Sequence, residues 1–556
     1  MSSPPTTSTS PAKTQGAAHS YGSTSRADAE PAGAEPPVKV VSARRSRHKE
    51  AQEPAGIQDA DWWKPAADAA QTNERAPLLD PPPEEPPQTA GQVVRAEVII
   101  LAEYAIPAFI TNFLEYSLLM APIISIGHLS TTALAAGTLA SMTASVTGLT
   151  MAHAFASALD TMLPPAWTSG KPSLVGLWTQ RMLFVMALLN IPCIAVWLNA
   201  EAILLQLRQE PDVARLAAQY LRYLSIGLPA FSFNAVLRRY FQCQGLFNIP
   251  TRIILVVAPI NALMDYLLVW GPDWLRLGFV GGPLATAISF NLVFLMSLYY
   301  VFTSSQREAW HPFTSDSFKQ LGILVYLGLA GVGEHIATEW WAWEVVNLAA
   351  SRIGKTSLAA QSVLLVSCTT TFQAPYSIAS AASVRVGNLL GEHNSHKAQL
   401  VSRLAFAMAM FVALGWCAMF LLLRNKWAYI FNDDPDVVKI VARLLPLVGF
   451  IELLDGVTTV GSGILRAAGR QAAAAIVVIV AYYFAGIPLG LYLTFRKNMG
   501  LLGLWAGLSL SLLMVMAFVV TLVSTLDWEV EAEKARERLR GRRGRPEASP
   551  PAEETA

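Results

Sequence analysis

The chain has 556 residues, of which 53% are hydrophobic and only 15% are charged. Soluble domains carry roughly 25% charged residues, and the mean hydropathy here is +0.38, so the composition excludes a single water-soluble core and predicts a polytopic membrane protein. The formal net charge of +1 distinguishes no class of partner, because the charges are unevenly distributed along the chain.

Residues 1–95 are rich in Pro, Ala, Ser, Thr and charged residues and show no apolar periodicity. This composition is typical of disordered segments and predicts a disordered N-terminal tail. The stretch from Glu74 to Leu79 is similar to the acidic dileucine signals that direct eukaryotic membrane proteins to endosomes or vacuoles. It favours a vacuolar membrane, with the plasma membrane as the alternative.

From residue 96 to residue 526, long apolar runs alternate with short polar breaks. A helix needs about 20 apolar residues to cross the hydrocarbon core of a bilayer, and we therefore predict twelve spans. They are 99–125, 131–160, 178–198, 218–244, 251–271, 281–303, 320–350, 357–389, 400–423, 438–466, 472–495 and 500–526. An even number places both tails on one side, and the charged C-terminal tail, 527–556, is basic enough to favour the cytosol.

An internal repeat relates the two halves of the membrane region. Two tripeptides and one acid recur at the same offset of 224 residues, for example 358 − 134 and 435 − 211. The pairs are Leu134–Ala136 with Leu358–Ala360, Pro211–Val213 with Pro435–Val437, and Glu115 with Glu339. Each copy holds six spans, so both copies insert with the same orientation. This predicts an N-lobe, 96–303, and a C-lobe, 304–526, with a cleft between them that opens alternately to the two sides.

The sequence contains no recognisable motif for ATP hydrolysis or for catalysis. The nearest approach to a P-loop, Gly354-Lys355-Thr356, has Ala349 where the pattern requires a glycine. The eight histidines are scattered and none has the spacing of a metal site beside an acid. We therefore predict a transporter rather than an enzyme, with no metal and no cofactor. Its energy would come from a proton gradient, with sodium as the alternative.

Carboxylates inside the predicted spans are the candidates for coupling and cargo binding. They are Glu339 and Glu344 of the seventh span, Asp455 of the tenth and Glu115 of the first. A low-dielectric environment favours the protonated form of a carboxyl group, whereas the ionised form attracts a cation. A site that holds either a proton or an organic cation, but not both at once, would exchange one for the other across the membrane, as an antiporter does. Trp340 and Trp343 can add ring faces, worth about 0.5–2 kcal/mol each.

Three further polar residues of the spans, Asp160, Asp265 and Asn261, are candidates either for coupling or for structural bonds between helices. A structural role is predicted for three arginines at the cytosolic helix ends, where they would hold helix carbonyls or lipid phosphates. These arginines are Arg238, Arg385 and Arg466.

At these residues the sequence resembles the multidrug and toxic compound extrusion (MATE) family, in its eukaryotic, fungal-like branch. The motifs that carry the resemblance are Glu339–Glu344 (EWWAWE), Ala381–Gly391, Ser462–Gln471, Leu237–Gly245 and Ala158–Thr161. The resemblance covers 95–526 and implies a V-shaped pair of six-helix lobes with proton- or sodium-coupled export. It also implies that Glu339, Glu344 and Asp455 stand where the family places acids for cation binding and coupling.

The residues and the resemblance together predict an all-α, twelve-helix secondary antiporter that exports organic cations, drugs or toxic small solutes in exchange for protons. An exporter of organic anions or a lipid-type flippase of related fold is the alternative. An anion cavity should be lined with Arg or Lys, and the predicted spans carry almost none at their centres. The expected partners are small organic cations and the lipid bilayer, with no nucleic acid, and the expected state is a monomer.

Overall fold

The computed structural model describes residues 89–303, 309–335, 341–431 and 434–540. Within these ranges the chain is helical and contains no strand, as the all-α prediction requires. Six of the described helical segments are each long and apolar enough to cross a membrane. These are Ser173–Leu198, Asn248–Trp270, Gly278–Thr303, Ser395–Leu423, Gln471–Phe495 and Leu501–Ser524.

The first half of the described region contains ten α-helices that follow the first six predicted spans. They are α1 Ala90–Gly127, α2 Thr131–Ala144, α3 Thr150–Ala156, α4 Ala158–Thr168, α5 Ser173–Leu198, α6 Ala200–Gln206, α7 Pro211–Leu224, α8 Leu228–Cys243, α9 Asn248–Trp270 and α10 Gly281–Thr303. A π-helical segment, Ser145–Leu149, joins α2 to α3, so the second span is helical but internally broken. Within this half, α9 packs between α1 and α10.

The second half contains nine described α-helices, which follow the last six spans and the start of the C-terminal tail. They are α11 Leu321–His335, α12 Trp341–Ile353, α13 Lys355–Gly391, α14 Ser395–Leu423, α15 Pro435–Ala467, α16 Gln471–Ile479, α17 Ile487–Phe495, α18 Leu501–Ser524 and α19 Trp528–Arg540. A second π-helical segment, Val480–Gly486, joins α16 to α17. The core of this half lies where α15 packs against α13, α14 and α18.

Helix starts and stops repeat between the halves at the offset seen in the sequence. Helix α7 begins at Pro211 and α15 at Pro435, each with proline in the first turn, where its missing N–H is not needed. The turns that follow α8 and α15 contain Gly245 and Gly469, with φ of +77° and +73°. Because glycine adopts positive φ without steric cost, the same turn can form in both halves.

The two halves meet along several pairs of helices. Helix α13 packs against α1 and α4 of the first half, and α11 packs against α3. At Gly331 of α11 a Cβ atom would lie 2.5 Å from the carbonyl oxygen of Ala154 and 2.6 Å from Ser157 Oγ. Only glycine therefore permits this approach of α11 to α3.

At both ends of the membrane region, the helices extend beyond the predicted boundaries. Helix α1 begins at Ala90, so residues 90–95 are helical rather than part of the predicted disordered tail. Residues 528–540, predicted only as charged tail, form α19. The dileucine-like stretch from Glu74 to Leu79 lies outside the described residues.

Candidate functional site

The seventh-span motif lies only partly within the described structure. Glu339 and Trp340 fall in 336–340, outside the described residues, and for Glu344 the structure describes the backbone of α12 but not the side chain. Trp343 is half-buried, and its ring lies 5.6 Å from that of Trp505 on α18. Helix α12 also packs against α13 and α17, which places the motif's second half within the C-lobe.

Asp455 lies on α15, in the C-lobe, and is half-buried. One helical turn earlier on the same helix lies Glu452, which is only 4% exposed. Side chains three residues apart on a helix are neighbours, and Glu452 faces Asp455 together with Thr371 and Cys368 of α13. The structure thus brings a second carboxyl group to Asp455 within the described part of the C-lobe.

Glu452 was not among the residues predicted from the sequence. The signal that would have found it is its spacing from Asp455, since an acid three residues before another on an apolar helix shares its face. Among the described residues no lysine or arginine forms an ion pair with Glu452. This separates it from Glu115, Asp160 and Glu334, each of which pairs with an arginine.

Glu115 is one of those paired acids. Its Oε2 accepts a hydrogen bond from Arg238 Nη1 at 2.6 Å, and Arg238 Nη2 donates to Asn112 Oδ1. Glu115 and Arg238 line an N-lobe pocket together with Phe231 and Phe290. The pocket is mainly apolar, and its carboxylate is neutralised by its arginine in this conformation.

Asp265 and Asn261 lie together on α9, deep in the N-lobe. Asn261 is 1% exposed and donates to Ser289 Oγ on α10 at 2.9 Å. Asp265 is also buried, beside Ser125 of α1. These contacts join helices within one lobe, and they fit the structural alternative predicted for both residues.

Asp160 belongs to a buried ion-pair network that crosses between the lobes. Its Oδ1 lies 3.1 Å from Arg239 Nε on α8, and its Oδ2 lies 3.7 Å from Arg466 Nε on α15. Arg466 Nη1 also lies 3.0 Å from Glu334 Oε1 on α11. Thr161 Oγ1 donates to the Arg466 carbonyl oxygen at 2.6 Å. The network holds α4 and α8 of the N-lobe to α15 of the C-lobe.

A second ion-pair cluster joins the lobes at the start of α1. Glu97, 1% exposed, accepts hydrogen bonds from Arg385 Nε at 2.7 Å and Arg385 Nη2 at 2.6 Å. Lys397 Nζ lies 3.1 Å from the same carboxylate. Arg238, Arg385 and Arg466 therefore pair with carboxylates, and the prediction that they hold helix carbonyls or lipid phosphates is wrong.

A bundle of long apolar helices in two related halves, with acids buried in the spans and ion pairs between the halves, defines a polytopic membrane protein. The family model described as MatE matches residues 107–267 and 335–492, one segment in each half and together more than half of the chain. The chain belongs to the MATE family, whose members are transporters and not enzymes.

Full-length relatives agree with this assignment. An uncharacterized transporter of Schizosaccharomyces pombe is 35% identical over 79% of this chain and 81% of its own length. Multidrug and toxin extrusion protein 1 of Danio rerio is 32% identical over 79% of this chain and 74% of its own. The crystal structure of the eukaryotic MATE transporter AtDTX14 matches with a TM-score of 0.76 and 27% identity, over 80% of this chain and 100% of that one.

The fold class predicted from the sequence is thereby confirmed, with a layout consistent with twelve helices. More distant structures share the fold alone. A structure titled as the outward-facing conformation of a multidrug resistance MATE transporter matches with a TM-score of 0.69 at 17% identity, over 82% of this chain and 100% of that one.

Proposed function

We propose that this MATE-family protein exports organic cations or other toxic small solutes in exchange for protons. The observation that carries the proposal is the pair Glu452 and Asp455, two carboxyl groups one helical turn apart in the C-lobe. Two carboxylates so close in a low-dielectric region cannot both be charged without cost, so binding a proton or a cation relieves the pair. Competition of proton and cation for one site couples their movements in opposite directions.

We assign Glu344 to the same site, and with it Glu339, which lies five residues earlier in the same motif. Helix α12, which carries Glu344, and α15, which carries Asp455, both pack against α13 and α18. The rings of Trp340 and Trp343 would add cation–π stabilisation to the bound cargo. Glu115 is assigned a secondary role, because Arg238 already neutralises it in this conformation.

The alternative cargo, an organic anion, is less well supported. Arg238 is the basic residue of the N-lobe pocket, and its guanidinium is engaged by Glu115 and Asn112. An anion would have to displace both partners. The proposed location is a vacuolar membrane with both tails in the cytosol, supported by the dileucine-like stretch and the basic C-terminal tail, and the proposed working unit is a monomer.

Proteoliposomes that contain the purified full chain test the proposal. Uptake of radiolabelled tetraethylammonium should follow an imposed pH gradient and not an imposed sodium gradient. In Asp455→Asn or Glu452→Gln this uptake should fall by about ten-fold or more, since a contact to a charged group contributes about 1.5–3 kcal/mol. Glu339→Gln should abolish it.

Asp212→Asn is the matched control, because Asp212 is an exposed acid at the start of α7, outside the candidate site. It should transport at the rate of the unmodified chain. Uptake driven only by sodium would contradict proton coupling, and transport of citrate but not tetraethylammonium would contradict the cation cargo. Unchanged uptake in both C-lobe variants would remove the acid pair from the mechanism.

A further inference from the structure

Helix α19 has one buried apolar face. Trp528, Ala532 and Ala535 are buried and Leu539 is half-buried, at spacings of four, three and four residues. This spacing places the four side chains in one stripe along the helix. The intervening residues, such as Glu533 and Glu537, are exposed, so α19 is an amphipathic helix seated on the rest of the molecule.

The stripe is divided between two hydrophobic clusters. Trp528, Ala532 and Ala535 belong to the cluster that forms most of the C-lobe core. Leu539 instead packs against a second cluster, which contains Leu159 and Leu163 of α4 in the N-lobe as well as Leu324 and Leu327 of α11. Helix α19 contacts α13 and α14 as well as α4. A 13-residue helix is about 20 Å long, which is sufficient to reach across the boundary between the lobes.

Polar contacts fix α19 to the C-lobe. Glu531, 1% exposed, accepts hydrogen bonds from Arg470 Nε at 3.0 Å and Arg470 Nη2 at 2.6 Å. Arg538 Nη2 donates to the carbonyl oxygen of Ala468 at 2.9 Å. A side chain at Gly469 would collide with the guanidinium of Arg538, so glycine at this position also makes room for α19.

The anchor point lies next to the ion pairs that join the lobes. Ala468 is the C-cap of α15, two residues beyond Arg466, whose guanidinium reaches Asp160 of the N-lobe. Thr161, the residue after Asp160, contacts the same turn, since a Cβ at Gly469 would lie 3.0 Å from its methyl group. Helix α19 therefore closes the same face of the molecule that the Asp160 network closes. We call this face the tail face.

We propose that α19 is a latch, fixed to the C-lobe, whose Leu539 must leave α4 before the lobes can separate at the tail face. Transporters built from parallel repeats expose their site to the two sides by moving one half against the other. A rigid helix anchored to one lobe cannot follow the other, so its contact with α4 must break. The inference uses the chain's membership in a transporter family and is independent of cargo and coupling ion.

A cysteine-accessibility measurement tests the latch in the purified full-length protein. Cys193, Cys243, Cys368 and Cys417 are replaced by alanine, and Ser380→Cys is introduced as the reporter. Ser380 lies on α13, is 6% exposed and accepts a bond from Arg239 Nη1 of the N-lobe at 3.3 Å. It therefore reports separation of the lobes. The readout is the labelling rate with a bulky, charged maleimide.

Leu539→Ala should raise the labelling rate at the reporter by about five-fold or more, because loss of the contact with α4 shifts the population toward the state open at the tail face. Arg538→Ala should act in the same direction. Val530→Ala, a truncation on the exposed face of the same helix, should leave the rate within about two-fold of the parent. Equal rates in Leu539→Ala and the parent would overturn the latch.

A second reporter separates lobe opening from local unfolding. Here Cys193, buried in the N-lobe core, is kept as the sole cysteine and Ser380 is left unchanged. Leu539→Ala should not change its labelling rate. Faster labelling at both Cys193 and the Ser380 position would mean that the variant loosens the lobes themselves, and this result too would overturn the latch.

Discussion

Asp160 lies between two arginines that come from different lobes, Arg239 at 3.1 Å and Arg466 at 3.7 Å. All three residues are less than 10% exposed. Charges that are buried without partners cost several kcal/mol each, so this network is stable only while both lobes contribute to it. Asp160 was a candidate for coupling or for a structural bond, and these contacts favour a role in holding the tail face closed.

Replacing Asp160 with Asn should destabilise this conformation of the protein strongly. Removing one partner of a buried ion pair costs about 3–5 kcal/mol, because the remaining charges stay buried without compensation. The measurement is the melting temperature of the detergent-purified protein, followed by tryptophan fluorescence. Asp436→Asn is the control, since that side chain is 74% exposed and pairs only with Lys439 among the described residues. A melting temperature of Asp160→Asn equal to that of the parent would contradict a structural role.

Single residues could be predicted from the sequence as acids in apolar spans, but their partners could not. Glu97 and Arg385 are 288 residues apart, and Glu115 and Arg238 are 123 apart. Side-chain pairs follow from local spacing only when both members lie on one helix, as Glu452 and Asp455 do. Position in the sequence therefore predicts helix carbonyls or lipid phosphates as partners of the arginines, whereas the packing of distant helices brings carboxylates to them.

At the scale of helices, apolar runs predicted the elements well because span length is set by bilayer thickness. The sixth span, predicted at 281–303, is α10, Gly281–Thr303. Interruptions were not predictable, since the π-helical segments Ser145–Leu149 and Val480–Gly486 leave the apolar content of their spans unchanged. The sequence does not predict helix α19, because charged residues dominate its composition. Its apolar stripe is also inconspicuous, since it includes two alanines, Ala532 and Ala535.

The contact of α11 with α3 gives a prediction at this scale. Gly331→Leu should weaken the closed conformation by about 1–3 kcal/mol, the usual cost of overpacking a tight interface. The obstruction is backbone, the carbonyl of Ala154, so it cannot move aside cheaply. Gly322→Leu on the same helix is the control, since a Cβ there meets no atom within 4 Å. Equal melting temperatures for Gly331→Leu and Gly322→Leu would contradict the importance of this contact.

At the scale of the whole molecule, the described contacts between the lobes form several separate groups. The Asp160 network, the Glu97 cluster and α19 all lie toward the tail face. Between α1 and α13, Asn112 Nδ2 also donates to Ser377 Oγ at 3.0 Å, and both residues are buried. Apolar residues also meet across the boundary, since Leu101 and Ala105 of α1 lie in the hydrophobic cluster of the C-lobe, and Ala108, Phe247 and Val384 form a small cluster of their own. Both polar and apolar contacts would therefore break and re-form if the lobes alternate between two states.

If the lobes must separate at this interface in each cycle, a covalent link across it should stop transport. In a chain without its natural cysteines, oxidising Asn112→Cys/Ser377→Cys should remove transport in proportion to the fraction cross-linked, and a reductant should restore it. The control is Asn190→Cys/Ser232→Cys, which replaces a 2.7 Å bond between α5 and α8 inside the N-lobe. That link leaves the lobes free to move, so transport should persist. Because both links constrain buried helix pairs, only relative motion of the lobes distinguishes them. Full transport by the oxidised inter-lobe variant would show that α1 and α13 stay together throughout the cycle.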